Sequence, residues 1–149
     1  MNRMLISAAH KSSGKTMVSI GLCAALRACG HAVQPFKKGP DYIDPMWLSQ
    51  AAGRTCRNLD LYLMTDDDVV ATFARHASDV NLVEGNKGLY DGLSLDGSNS
   101  NAAVAKLLDL PSNRLHFIGG TVGGGFGGKV DCLTEPLSIL GAMLTGRPV

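Results

Sequence analysis

The chain has 149 residues, of which 45% are hydrophobic and 18% charged, with a formal net charge of +1. This length fits one ordinary domain, and the near-balanced charge excludes the basic field typical of nucleic-acid-binding proteins. No apolar run approaches the roughly 20 residues of a membrane span, and the apolar run at residues 5–9 is too short for a signal peptide. The four cysteines form no C-x-x-C pair. We therefore expect a soluble cytoplasmic protein with reduced thiols that binds neither nucleic acid nor membrane.

The first motif resembles a phosphate-binding loop, written A-A-H-K-S-S-G-K-T at residues 8–16, after an apolar strand at 2–9. Such a loop turns backbone N–H groups around an anion, and the following helix adds the positive end of its dipole. Gly14 allows the backbone to approach closely, Lys15 reaches the β- and γ-phosphates, and the Thr16 hydroxyl binds Mg²⁺.

Only the G-K-T half of the Walker pattern is present, because Ala9 stands where the first glycine is usual. A polar turn that caps the helix through Ser12 or Ser13 is the competing interpretation. The position between a strand and a helix favours the phosphate loop. The predicted nucleotide-binding residues of this loop are Ser12, Ser13, Gly14, Lys15 and Thr16.

A helix follows the loop, with apolar residues at helical spacing and Gly30 at its predicted end. Its predicted apolar face consists of Val18, Leu22, Ala25 and Leu26. A second short strand spans residues 32–36, and Pro35 within it predicts a strand end or an edge strand. Helices are then predicted at 46–52, from the Thr65 cap onward, and at 101–110.

Two polar segments at predicted strand ends are candidates for the ligand site. The loop K-K-G-P-D-Y-I-D-P at 37–45 offers cations for phosphate and carboxylates for Mg²⁺ or substrate, although a solvated charged turn has the same composition. Glu84 ends the third predicted strand, at 80–85, where phosphate-loop enzymes place a metal carboxylate. Asp91 follows in another polar loop and is a candidate substrate contact. The three aspartates at 66–68 are interpreted as helix-dipole partners.

Four motifs in order resemble the cobyrinate a,c-diamide synthase family, within the dethiobiotin-synthetase-like ATP-dependent enzymes. The resemblance covers residues 1–111 and includes S-A-A-H-K-S-S-G-K-T, F-K-K-G-P-D-Y-I-D-P, R-N-L-D and V-E-G-N-K-G-L-Y-D-G. The E-G-N-K-G-L-Y-D-G and G-S-N-S-N segments are similar to those of a branch that amidates siroheme. The identity of the tetrapyrrole substrate is left open.

The resemblance implies that ATP phosphorylates a peripheral carboxylate of a tetrapyrrole, and that ammonia from glutamine then displaces the phosphate to leave an amide. It implies ATP and Mg²⁺ binding by Lys15 and Thr16, with Glu84 at the metal. Lys37 or Lys38 is implied to hold the transferred phosphoryl group. The residues implied in catalysis are Lys38, Asp41, Tyr42 and Asp91.

The C-terminal segment at 113–149 instead resembles the molybdenum-binding subunit of the xanthine dehydrogenase family. Its G-G-G-F-G-G-K run at 123–129 is similar to the glycine loop that lies against molybdopterin in those enzymes, and a helix is predicted at 135–145. For residues 112–149 we favour an inactive strand, loop and helix that complete the surface of the first domain, and a molybdopterin-binding role is the alternative.

The expected fold is α/β: a truncated phosphate-loop three-layer sandwich with a mainly parallel sheet of at least three strands, followed by a Gly-rich loop and helix. We predict domains at 1–111 and 112–149, and self-association through the exposed sheet edge. The expected function is ATP-dependent tetrapyrrole amidation that needs a glutaminase subunit or free ammonia. The alternatives are a nucleotide-binding module without turnover and a molybdopterin-dependent oxidoreductase fragment.

Overall fold

Strands and helices alternate along the part of the chain that the computed structural model describes, residues 2–8 and 13–110. The elements in order are β1 (Asn2–Ala8), α1 (Lys15–Ala28), β2 (Val33–Lys38), α2 (Ile43–Ala52), β3 (Arg57–Leu59), α3 (Asp66–His76), β4 (Val80–Gly88) and α4 (Asn101–Leu107). Because a helical connection returns the chain to the starting end of the sheet, this alternation produces parallel strand pairs.

The four described strands form one sheet in the order β1-β4-β2-β3, and all three pairings are parallel. β4 pairs with both β1 and β2, so it lies inside the sheet although it comes last in sequence. This order places the ends of β2 and β4 side by side, with Lys37 opposite Glu84.

Helices cover both faces of the sheet, which confirms the predicted α/β layers. On one face, α1 and α2 pack on alternate strand residues, and this core contains Cys23, Val33, Leu48, Ala52, Cys56 and Leu82. On the other face, α3 and α4 pack on the intervening strand residues, and this core contains Phe36, Leu59, Val69, Phe73, Val83, Val104 and Leu108. Alternation of side chains along each strand supplies both cores from the same four strands.

The prediction that Pro35 marks an edge strand or a strand end was wrong. β2 is an interior strand and continues to Lys38, and all six of its residues are buried. Pairing between β2 and β3 begins only at Phe36. Pro35 therefore faces no β3 residue, and the N–H group that proline lacks is not needed for a hydrogen bond to β3. β3 itself was not predicted, because its three residues are too few to show a period.

The predicted apolar face of α1 was wrong in part, although its member Leu26 packs against the core. Val18 and Leu22 are 53% and 36% exposed, whereas Ser19 and Cys23 are buried against the sheet. The helix is apolar on more than one side, so spacing alone could not choose its buried side. α2 begins at Ile43, earlier than predicted, and α4 ends at Leu107.

Two predictions fall on residues outside the described ranges: the nucleotide contact of Ser12, and the glycine-rich loop and helix of the C-terminal segment. Among the described helices, none is long and apolar enough to cross a membrane.

Candidate functional site

An open cleft of about 630 Å³ lies at the carboxyl ends of β2 and β4. Three segments line it, together with Lys37: residues 13–17 at the start of α1, residues 40–44 from the loop after β2 into the start of α2, and residues 84–87 at the end of β4. Parallel α/β sheets bind ligands at this edge, because loops from several strands converge there. The structure thus brings residues 13–16 of the predicted phosphate loop, the charged loop and Glu84 into one site.

The described residues at the start of α1 fit the phosphate-loop motif. Gly14 is the N-cap, and its φ of +80° is one that other residues rarely adopt. Lys15 Nζ donates to Ser13 Oγ at 3.4 Å. Burial, and next the charge of Lys37, lowers the pKa of Lys15. The first helical turn therefore presents backbone N–H groups and a lysine to the cleft.

Lys37 is the centre of the charged cluster in the cleft. Its Nζ lies 2.6 Å from Asp44 Oδ2, 3.0 Å from Glu84 Oε1 and 3.6 Å from Asp41 Oδ2. Burial opposes its charge, but the hydrogen bond that Lys37 donates to Asp44 and the charge of Glu84 outweigh burial and raise the pKa of Lys37. The ammonium is therefore held between carboxylates at the floor of the site.

Glu84 and Thr16 meet directly, as expected for a metal-binding pair. Glu84 is fully buried, and the Thr16 hydroxyl donates to its Oε1 at 2.6 Å. The second carboxylate oxygen of Glu84, Oε2, is buried and has no hydrogen-bond partner within the described part of the protein. A buried carboxylate oxygen without a partner is costly, so this atom is available to a ligand.

Asp44 belongs to the predicted charged loop, but the sequence analysis did not single it out as a site residue. Its Oδ2 contacts Lys37 Nζ and lies 3.4 Å from the Thr16 hydroxyl. Partial burial opposes its charge, but the hydrogen bond from Lys37 outweighs this and lowers the pKa of Asp44. The sequence did contain a signal for Asp44. It lies three residues after Asp41, about one helical turn, so both carboxylates face the same side at the start of α2.

The oxygen atoms of Thr16, Asp44 and Glu84 fit Mg²⁺, which prefers a few protein oxygens plus phosphate oxygens and water. Among the residues that the structure describes, no three His, Cys, Asp or Glu side chains could hold a metal by themselves. A bound Mg²⁺ would thus need the hydroxyl and the phosphates of a nucleotide, and would supply charge neutralisation there. The unpartnered Glu84 oxygen supports this fit.

Asp41 and Tyr42 lie on the cleft wall. Asp41 Oδ1 accepts the backbone N–H groups of Ile43 and Asp44 at 3.0 and 3.2 Å, so one oxygen caps α2 while the other faces Lys37. Asn58 of the R-N-L-D motif donates to the Asp41 carbonyl and braces the same loop. Tyr42 is 79% exposed and available to a ligand.

Lys38 and Asp91 do not line the cleft with the other predicted residues. Lys38 follows Lys37 in the same strand, so its side chain lies on the opposite face, where burial lowers its pKa and Asp60 opposes this shift. Asp91 Oδ2 accepts the Gly88 N–H at 2.9 Å and closes the turn after β4.

Comparison with known proteins matches residues 5–119 to the model of the CobQ/CobB/MinD/ParA nucleotide binding domain. A cobyrinate a,c-diamide synthase of Magnetococcus marinus is 59% identical over 111 residues, which are 73% of this chain and 24% of the relative. Enzymes of the same name from Methanosarcina barkeri and Clostridium tetani are 46% and 44% identical over 115 and 111 residues, covering 73% and 74% of this chain and 23% and 25% of theirs. The chain spans about a quarter of the length of these relatives.

A second family model, the molybdopterin cofactor-binding domain, matches residues 97–149. It overlaps the first match at 97–119. Both resemblances seen in the motifs are thereby confirmed. The proposed domain boundary at 111 stays a prediction.

Proposed function

Because the chain belongs to the CobQ/CobB/MinD/ParA nucleotide-binding domain family, we propose that its cleft binds Mg-ATP and transfers the γ-phosphoryl group to a carboxylate of a tetrapyrrole. The observation behind this proposal is the cluster of buried Lys37 and Glu84 with partly buried Asp44, in which the Thr16 hydroxyl donates to Glu84. Phosphoryl transfer depends on positioning and charge neutralisation, and this cluster offers both beside the phosphate loop.

In the proposed reaction, a substrate carboxylate oxygen attacks the γ-phosphorus, and the bond from that phosphorus to the β-phosphate oxygen breaks to release ADP. Ammonia then attacks the acyl phosphate carbon, releases inorganic phosphate and a proton, and leaves an amide. Lys15 and the N–H groups of α1 hold the phosphates. Lys37 would neutralise the negative charge of the transferred phosphoryl group.

The acceptor and the nitrogen source are inferred from the relatives, whose name specifies an a,c-diamide of cobyrinate. Ammonia would come from a glutaminase subunit or from solution. Asp41 and Tyr42, which line the cleft, are proposed to contact the substrate. Lys38 and Asp91 do not line the cleft, so their catalytic role stays a prediction.

Two alternatives rest on specific observations. The match to a nucleotide binding domain also fits a nucleotide-binding module without turnover. The match of residues 97–149 to a molybdopterin-binding model favours a molybdopterin-dependent fragment, and molybdenum retained after purification would support it.

The test is calorimetric titration of the 149-residue protein with Mg-ATP. We expect saturable binding that Lys15→Ala weakens by about tenfold or more, because the variant loses a charged phosphate contact. Lys106→Ala is the matched control, since this exposed lysine lies on α4 and does not line the cleft. Equal affinity of Lys15→Ala and wild type would contradict the phosphate-loop assignment.

Turnover is then tested with cobyrinic acid, Mg-ATP and ammonium. Formation of amide together with ADP and phosphate would support the proposed reaction. Nucleotide binding without product would instead support the binding module.

A further inference from the structure

The end of β4 departs from regular sheet pairing at the cleft. β1 and β4 pair in step up to Ile6 and Glu84, but the next pair joins Ala8 to Gly88. Residues 85–87 of β4 therefore stand opposite the single residue Ser7. This β-bulge removes residues 85–87 from the ladder, and they form one wall of the cleft.

A buried side chain from α4 takes the place of the lost ladder contacts. Asn101 is fully buried, its Oδ1 accepts the Asn86 N–H at 3.0 Å, and its Nδ2 donates to the Gly88 carbonyl at 2.7 Å. The same Nδ2 faces the Asn86 carbonyl and the Ser7 hydroxyl. A methyl group on Gly85 would lie 2.8 Å from this amide, so the bulge packs tightly on it. Asn101 thus holds the bulge in one shape.

The bulge presents an exposed lysine to the cleft. Lys87 has a φ of +39°, which costs a non-glycine residue conformational energy and persists only where surrounding contacts enforce it. Its side chain is exposed, and no ion pair within the described ranges involves it. A strained backbone held by a buried amide therefore keeps an available cation on the cleft wall.

The three lysines of the cleft have different surroundings. Lys37 is surrounded by carboxylates, and Lys15 belongs to the phosphate loop at the start of α1. A carboxylate substrate needs a cation or an N–H donor, which Asp41 cannot supply. We propose that Lys87 binds a carboxylate of the acid substrate, and that Asn101 is the positioning residue that holds Lys87 in place. This inference rests on the proposed function only for the chemical class of the substrate.

The experiment titrates the full chain with cobyrinic acid by calorimetry, in the presence of a non-hydrolysable ATP analogue with Mg²⁺. We expect Lys87→Met to raise the Kd for cobyrinic acid about tenfold or more, and Lys87→Arg to restore it, because a charged hydrogen bond is lost and regained. The Kd for the nucleotide should stay within about twofold of wild type. Lys106→Met, on the outside of α4, is the control and should change neither Kd.

Asn101→Asp tests the positioning role, since aspartate can still accept the Asn86 N–H but donates nothing to the two carbonyls. We expect it to weaken cobyrinic acid binding while Lys87 is intact, with folding checked by urea unfolding. If Asn101→Asp does not fold, the Lys87 variants decide the proposal alone.

Three results would overturn the proposal. A parallel loss of nucleotide affinity in Lys87→Met would make Lys87 a phosphate ligand, and unchanged affinities would make it a solvated surface lysine. Nucleotide binding by the wild type with no cobyrinic acid binding would also overturn it, although the nucleotide site would survive. Lysine-dependent cobyrinic acid binding without nucleotide binding would support Lys87 and contradict the proposed function.

Discussion

At the scale of single residues, the ion pair between Lys37 and Glu84 is asymmetric. Lys37 also contacts Asp44 at 2.6 Å, so it keeps a partner when Glu84 is neutralised. Glu84, in contrast, has Lys37 as its cation and the Thr16 hydroxyl as a neutral donor. Because both members are buried, the loss of either charge leaves the other in a medium that solvates it poorly.

We therefore predict that Lys37→Met lowers the free energy of unfolding by about 3–5 kcal/mol, because two carboxylates are left without a cation. Glu84→Gln should cost about 1–3 kcal/mol, because Asp44 still neutralises Lys37. The double variant should be less destabilised than the sum of the two. Urea unfolding of the wild type, the two single variants and the double variant gives the four free energies of unfolding of this double-mutant cycle.

Lys38→Met is the control for this cycle, because Lys38 is equally buried but makes no ion pair within the described ranges. Its substitution should cost much less than that of Lys37. Equal costs for the two lysines, or strict additivity of Lys37→Met and Glu84→Gln, would contradict the described cluster.

At the scale of elements, α3 is the helix whose start was predicted most directly. Thr65 accepts the Asp68 N–H at 3.2 Å, and Asp68 accepts the Thr65 N–H at 3.3 Å, which completes a capping box. Val69 and Phe73 then bury the helix against the sheet. This much follows from the sequence because a cap and its first turn are local features.

We predict that Thr65→Ala lowers the free energy of unfolding by about 1 kcal/mol, because the Asp68 N–H at the start of α3 loses the hydroxyl that accepts it. Thr72→Ala, in the middle of the same helix, is the matched control and should cost less, since alanine favours the helix interior. Chemical unfolding followed by circular dichroism measures both variants. A larger loss in Thr72→Ala than in Thr65→Ala would contradict the capping assignment.

At the scale of the whole molecule, the reactivity of the cysteines shows whether the helices are packed on the sheet. Cys23 on α1 is fully buried, and Cys56 before β3 is 8% exposed, whereas Cys29 is exposed. Burial raises the pKa of Cys23 to about 11 and that of Cys56 to about 12. Both thiols therefore stay protonated and covered in the folded protein.

We predict that iodoacetamide at pH 8 modifies Cys29 rapidly in the native protein, and Cys23 and Cys56 only when urea unfolds it. Peptide mass spectrometry separates the sites. The unfolded protein in urea is the control, where the three rates should become similar. Equal modification of Cys23 and Cys29 without urea would show that the α1 and α2 layer is not packed in solution.

The sequence by itself determined the features that depend on nearby residues. The alternation of strand and helix signals predicted an α/β fold, the G-K-T motif predicted the start of α1, and the position of Glu84 at a strand end predicted its place at the site. Each of these depends on spacing within a few residues, so local physics suffices.

Only the tertiary structure decided which of these features meet. The sheet order puts β4 between β1 and β2, which brings Lys37 to Glu84 across 47 positions of sequence. Because side chains alternate along β2, Lys38 lies on the face of the sheet opposite to Lys37. The orientation of α2 places Asp44 beside Lys37 and Glu84. Strand order and buried helix faces follow from packing among distant segments, because several arrangements satisfy the same local pattern and only mutual burial selects one.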